Sequence, residues 1–291
     1  PQDSPEDRER QKQRQTLYGV TEKAALFFEQ QLRMPAGKRA LDYLKGRGLM
    51  DETIKRFRLG FAPLGSGGGR GQMKAALDGD ALTARRTAAA SALAAGYLAR
   101  RDAAHLLVVG TGQLSRAVAE AHCTTRSYDR VSIWGRSRDK AAAVAAELAQ
   151  AGLPAEVAED LEATCRAADV ISTVTASTRP IIRGDWLKPG SHLDLIGAFK
   201  GDMRESDDQA IAQAQVFVDL RAGAMLAGDL SQPLDAGRIE PRHIRADLAE
   251  LCQQRHPGRS DAAARTVFKS AGMALQDLAA ADLAACQAMS G

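Results

Sequence analysis

At 291 residues the chain is long enough for one large domain or two ordinary ones, and 45% apolar with 26% charged residues is an ordinary globular balance. No run reaches the roughly 18 apolar residues of a membrane span, and the polar opening PQDSPEDRERQKQRQ lacks a signal-peptide core, so a cytoplasmic protein without membrane contact is expected. The net charge of +3 is uneven: residues 1–63 carry 13 Lys/Arg against 9 Asp/Glu, and the remaining 228 carry 26 against 27. That mild basic excess fits a solvated helical surface and does not point to nucleic acid. Cys123, Cys165, Cys252 and Cys286 form no C-x-x-C pair and stand at no zinc spacing with histidine, so reduced thiols and no metal are expected. The first residue is Pro, as expected of a processed or excerpted chain.

In chain order, Gln15 to Arg33 places Leu17, Val20, Ala24, Phe27, Phe28 and Leu32 at helical spacing, and Met34-Pro35-Ala36-Gly37 interrupts them. A second helix is expected over Lys38 to Gly46 and a short third over Asp51 to Phe57, with Leu59 to Pro63 extended. Five glycines among residues 64–71 mark a flexible linker. The expected organisation is a small all-α fragment over 1–63, a linker over 64–72 and an α/β domain over 73–291.

In that domain, Leu82 to Arg100 reads as an Ala-rich helix carrying Thr83, Arg86 and Thr87 near its start. Apolar runs at His105 to Gly110, Arg130 to Gly135, Ala155 to Val157, Asp169 to Val174, Ser191 to Ile196 and Val216 to Asp219 read as strands. Helices are expected between the first four, at Leu114 to Cys123, Asp139 to Ala151 and Leu161 to Arg166. Strands alternating with helices predict a Rossmann-like, doubly wound parallel sheet.

Gly110-Thr111-Gly112-Gln113-Leu114-Ser115 follows the first of these strands and opens a helix, as a dinucleotide-binding turn does. Its glycines permit a tight turn and let backbone N–H groups reach a pyrophosphate at the helix N-terminus, and Ser115 takes the third, small-residue position. The second strand ends in Gly135-Arg136-Ser137-Arg138 with no acid at its tip. Arg136, Ser137 and Arg138 suit a 2′-phosphate, which favours NADP(H), with NAD(H) the alternative.

Collinear blocks carry a family resemblance: LDGDALTARRTAAASALAAGYLARRDAAHLLVVGTGQLSRAVAEAH, VSIWGRSRDKA, HLDLIGAFKGDMRESDD, FVDLRAGAMLAGDLSQPL and DLAELCQQRHPGRSDAAARTVFKSAGMALQDLAAA. In this order they resemble the ornithine cyclodeaminase/mu-crystallin family over residues 73–284, most of all its members that reduce Δ1-pyrroline-2-carboxylate. The resemblance implies a substrate- or phosphate-binding role for Arg86 and a cofactor contact for Thr87, which together form an R-T motif. It implies cofactor contacts at Gly112, Gln113, Leu114, Thr173 and Thr175, at the strand end Ile196-Gly197-Ala198, and at Ser270. Asp229 and Lys200 are read as structural and surface residues, and a C-terminal helix is expected over Asp261 to Ala285.

The chain departs from the family pattern at Thr111, where Ala is usual, at Gly135, where Asn is common, and at Gly201, where Pro is common. The Asp that the cyclodeaminases proper carry near Phe199 has no counterpart here, which argues against deaminating cyclisation. The substrate domain and dimer platform that open family members are unrecognisable here, so the usual homodimer lacks its platform, and with that region goes the catalytic proton donor. Residues 16–63 resemble instead a fragment of bacterial DNA primase without its zinc ligands or metal-binding carboxylates, and are read as a helical piece without chemistry. The whole reads as a composite, such as a fusion. The expected function is NADPH-dependent reduction of a small cyclic imino acid, with a non-catalytic dinucleotide-binding module, an ornithine cyclodeaminase-like or an alanine dehydrogenase-like activity as alternatives.

Overall fold

The structure is a computed structural model that describes residues 29–46, 50–56 and 77–290. The chain divides into two compact units, Pro1–Ala76 and Leu77–Gly291. The described part of the first unit is helical. A 3-10 turn at Pro35–Gly37 leads into α1 (Lys38–Gly46), and α2 (Asp51–Arg56) follows. The turn falls where Met34-Pro35 interrupts the apolar stripe, and a Cβ at Gly37 would lie 2.3 Å from the Gln31 carbonyl. Lys45 and Asp51 pair at 3.1 Å. Most of the helix expected over Gln15 to Arg33, the extended Leu59 to Pro63 and the glycine linker lie outside the described residues.

The second unit begins with α3 (Gly79–Leu98), capped by Asp78, whose carboxylate accepts from the Asp80 and Ala81 N–H groups. The chain then alternates: β1 (His105–Val109), α4 (Gln113–Thr125), β2 (Arg130–Trp134), α5 (Arg138–Gln150), β3 (Ala155–Val157), α6 (Leu161–Ala167), β4 (Val170–Thr173) and β5 (His192–Leu195). Short pieces complete it: α7 (Asp208–Ala212), β6 (Gln215–Val218), α8 (Arg221–Ala224), α9 (Gly228–Asp235), β7 (Ile244–Asp247), α10 (Leu248–Cys252), β8 (Thr266–Lys269) and α11 (Ala274–Ser290). All eight strands are parallel, in the order β3-β2-β1-β4-β5-β8-β6-β7. This is the doubly wound α/β sheet that the sequence predicts. Most strand residues are apolar on both faces, as in a parallel sheet covered by helices on both sides, with buried polar exceptions such as His192 and Asp194 on β5. Leu107, Ile171 and Leu193 pack on one side, and Leu106, Val108, Val131 and Ile133 on the other.

Two strands were not legible, and one expected helix is corrected. Asp261 to Ala285 is not a continuous helix: Thr266–Lys269 forms β8, inserted between β5 and β6, and α11 begins only at Ala274. Thr266, Val267 and Phe268 are β-branched or aromatic and suit a strand, and Gly272, at φ +83°, ends the excursion before the helix starts. Phe268 is fully buried with Phe217, Leu98 and Leu251. Replacing Phe268 with Ala is expected to lower the unfolding free energy by about 3–5 kcal/mol, measured by urea denaturation. Replacement of the exposed Leu275 should stay within about 0.5 kcal/mol.

Candidate functional site

The C-terminal ends of β1, β2, β4, β5, β6 and β8 meet along one edge of the sheet, where ligands of open α/β sheets bind. At the end of β1 the chain turns through Gly110 at φ +134°, a conformation L side chains rarely adopt. A Cβ there would also lie 2.7 Å from the Val174 side chain. The Gly110 N–H bonds the Trp134 carbonyl at 2.8 Å and the Val174 N–H bonds the Val109 carbonyl at 2.9 Å, so β2 and β4 fix the turn from both sides. Gly112 is the N-cap of α4 and supplies no side-chain cap, and nothing stands within 4 Å of the place its Cβ would take. Gly112 and Gln113 are exposed, Leu114 is half-buried, and Ser115 is buried with no hydrogen-bond partner for its Oγ. The result is an uncapped helix N-terminus facing open space, which fits a diphosphate.

Thr111 and Gly135 account for each other. A Cβ on Gly135, at the tip of β2, would lie 2.4 Å from the Thr111 methyl. The Thr111 side chain thus occupies the space that a side chain at Gly135 would need. Beyond Gly135, Arg136 is exposed and Ser137 caps α5, accepting from the Lys140 N–H at 3.4 Å. Arg138 is bound to Glu159 through two hydrogen bonds from Nε, at 2.8 and 3.1 Å, and a third from Nη2.

The floor beyond the turn is braced from beneath by a carboxylate that the sequence did not reveal. Glu205 is fully buried; its Oε1 accepts from the Thr175 N–H and hydroxyl, both at 2.7 Å, and its Oε2 from the N–H groups of Gly197 (2.8 Å) and Ala198 (3.1 Å). Burial pushes the Glu205 carboxyl upward, against the buried Lys269 ammonium and the Thr175 bonds. All four partners donate, which suits the carboxylate form. The close packing requires Gly197, whose Cβ would fall 2.1 Å from the Thr175 carbonyl. Lys269 bonds the Ala198 carbonyl and reaches Asp229 Oδ2 at 3.0 Å. Asp229 Oδ1 in turn accepts from the Glu205 and Ser206 N–H groups, both at 2.9 Å. Asp229 is thus structural, and Lys200 is exposed over the Phe199 ring, as each was read.

At the ends of β6 and β8, Asp219 organises the chain around Ser270. Its Oδ2 accepts from the Ser270 hydroxyl (2.9 Å) and from the Ala271 and Gly272 N–H groups (2.9 and 2.6 Å). Arg86 reaches this turn from α3. Its guanidinium pairs with Asp277 at 2.8 Å, donates to Gln276 at 3.1 Å, and lies where a Cβ on Gly272 would stand. Thr175, Gly197 and the Gly110 turn are therefore brought together at the sheet edge. Arg86 and Ser270 meet at the turn that leads into α11. Thr173 stands apart, its side chain buried and its hydroxyl bonded to the Asp194 carbonyl at 3.4 Å, and Thr87 is buried on α3. Asp219 and Lys269 escape a sequence reading because their partners lie far along the chain, and Glu205 because most of its partners are backbone N–H groups.

Ser91, His122 and Asp194 have the residue types of a nucleophilic triad, with Ser91 Oγ 2.8 Å from His122 Nε2 and bonded to Asp194. All three are completely buried, beside a His192 that burial holds down to about 3, so no substrate reaches them.

Residues 66–290 match the ornithine cyclodeaminase/mu-crystallin family. A Δ1-pyrroline-2-carboxylate reductase of Paracoccus denitrificans is 38% identical over 212 residues, covering 72% of this chain and 66% of the relative. The structure of the Thermococcus litoralis Δ1-pyrroline-2-carboxylate reductase, in complex with NADH and L-proline, is similar with a TM-score of 0.71 at 30% identity, covering 73% of this chain and 66% of that one. The iminosuccinate reductase of Paracoccus denitrificans, in complex with NAD+, follows with a TM-score of 0.66 at 32% identity, covering 72% and 64%. The chain thus spans about two thirds of the length of the relatives it matches.

The Thr111–Gly135 contact is tested by a double-mutant cycle. Gly135→Ala alone is expected to cost about 1–3 kcal/mol of unfolding free energy by overpacking. Thr111→Ala/Gly135→Ala is expected to recover most of that loss in urea denaturation. Simple additivity would contradict the contact.

Proposed function

This chain belongs to the ornithine cyclodeaminase/mu-crystallin family, and from that premise we propose that it binds a nicotinamide dinucleotide and reduces the C=N bond of a small cyclic imino acid to a proline-like product. The observation that carries the proposal is the α4 N-terminus: an uncapped helix end opening onto space, reached through a glycine at φ +134°. Gly112, Gln113 and Leu114 would offer N–H groups to the pyrophosphate. Arg136 and Ser137 would meet a 2′-phosphate, favouring NADP(H) over NAD(H). When bound, a reduced nicotinamide supplies a hydride for the imine carbon.

The chain's own part is positioning. Thr175 and Ile196-Gly197-Ala198, fixed by Glu205, would form the wall against the nicotinamide end. Ser270 would lie beside the substrate, held by Asp219. Arg86 would hold the imino acid's carboxylate by a two-point contact, which aligns the C=N bond at the wall. That role requires Arg86 to exchange its present partners, Asp277 and Gln276, for the substrate.

A second reading, a module that binds the dinucleotide without turnover, is favoured by Arg86, whose guanidinium is already held by Asp277 and Gln276. Titration with NADPH and NADH, followed by an assay of Δ1-pyrroline-2-carboxylate-dependent cofactor oxidation, separates the two. Reductase action predicts imine-dependent oxidation and a KM for the imino acid that rises roughly 10- to 100-fold in Arg86→Ala. Tight binding without oxidation supports the module, and failure to bind either nucleotide contradicts both.

A further inference from the structure

Strand β2 ends without the acid that accepts a ribose 2′-hydroxyl in NAD enzymes, but the fold brings one to the same place from β3. β3 runs parallel to β2 with Val157 beside Ile133, and the Ala158 N–H bonds the Ile133 carbonyl at 2.9 Å. The next residue, Glu159, leaves the sheet next to the β2 tip. Its carboxylate takes three hydrogen bonds from the Arg138 guanidinium, two of them at 2.8 and 3.1 Å from Nε. Both backbones are fixed by helix caps: Ser137 accepts from the Lys140 N–H, and Asp160 from the Ala163 N–H at 3.1 Å. Arg136, two residues from Arg138, is exposed and has no ion-pair partner among the described residues. The β2 tip thus holds one arginine that is free and one whose charge is matched.

The pair is too exposed to serve stability, with side chains 74% and 62% accessible, and such pairs contribute little to folding. Its consequence falls on what binds beside it. A ribose 2′-hydroxyl can donate to a carboxylate. A 2′-phosphate brings about two negative charges and must take Arg138 from Glu159 while lying next to it. Asp139, at the same helix start, adds to the negative side, and Lys140 to the positive.

We propose that Glu159 is a specificity residue for the dinucleotide: by occupying Arg138 it disfavours the 2′-phosphate and keeps the site open to NADH as well as NADPH. The proposal rests on the dinucleotide reading above and refines it. The test is equilibrium titration of the full chain with NADPH and with NADH at low ionic strength, for the wild type, Glu159→Gln, Arg138→Ala and the double variant.

Glu159→Gln is expected to raise the NADPH-over-NADH affinity ratio roughly three- to fivefold, chiefly through tighter NADPH binding. In the Arg138→Ala background the same substitution should move the ratio far less. High salt should shrink the effect, because the charges are exposed. A wild-type chain that binds nucleotide, with a ratio unmoved by Glu159→Gln, overturns this proposal alone. An equal shift with and without Arg138 overturns it as well. A wild-type chain that binds neither nucleotide overturns the cofactor reading, and this proposal with it.

Discussion

Strand ends converge at the C-terminal edge of the sheet more tightly than side chains allow, and the rest of the site follows from that crowding. Gly110 lies against Val174, and Gly197 against the Thr175 backbone, so closely that a single methyl group at either would overlap its neighbour. The N–H groups of those two glycines are spent on Trp134 and Glu205, so the donors on offer are those of the uncapped α4 N-terminus beside them. Backbone donors beside a helix N-terminus suit an anion, and a diphosphate is one that spans several strand ends. The Thr111–Gly135 contact shows the same limit from the other side, since the Thr111 methyl fills the space that a side chain at the β2 tip would take.

Crowded loops need internal partners, and here these are charged. Glu205, Asp229 and Lys269 are completely buried, and between them they bond the ends of β4, β5 and β8 to the segment before α7 and to α9. Taking such charges out of water is costly unless their hydrogen bonds are complete, and removing one partner strands the others. The geometry meets that condition, with four donors on Glu205 and at least one partner on each Asp229 oxygen. A buried charge network of this kind does little for net stability, but it fixes the wall residues in one arrangement. Asp219 does the same for Ser270 and its neighbours.

Much of this was legible in the sequence. Apolar runs ending at Gly110 and near Gly135, with helices between them, placed β1, β2 and the turn to within a residue or two, because burial on both faces leaves a continuous apolar signal. β7 and β8 were not legible: Ile244-Arg245-Ala246-Asp247 and Thr266-Val267-Phe268-Lys269 are four residues each and carry charged side chains that only tertiary partners explain. Lys269 looks like a surface residue until Asp229, 40 positions earlier, is found beside it. Glu159 was missed for the same reason. Its carboxylate reaches the β2 tip from the neighbouring strand, 21 residues after Arg138.

Amide hydrogen exchange, with and without saturating NADPH or NADH, tests most directly whether the glycine turn and the α4 N-terminus hold a dinucleotide. Slower exchange at Gly112 to Ser115 and at Gly197 and Ala198 in the presence of nucleotide, with β6 and β7 unchanged, is the expected result. Exchange unaltered along the sheet edge, or protection confined to segments remote from it, would contradict the account.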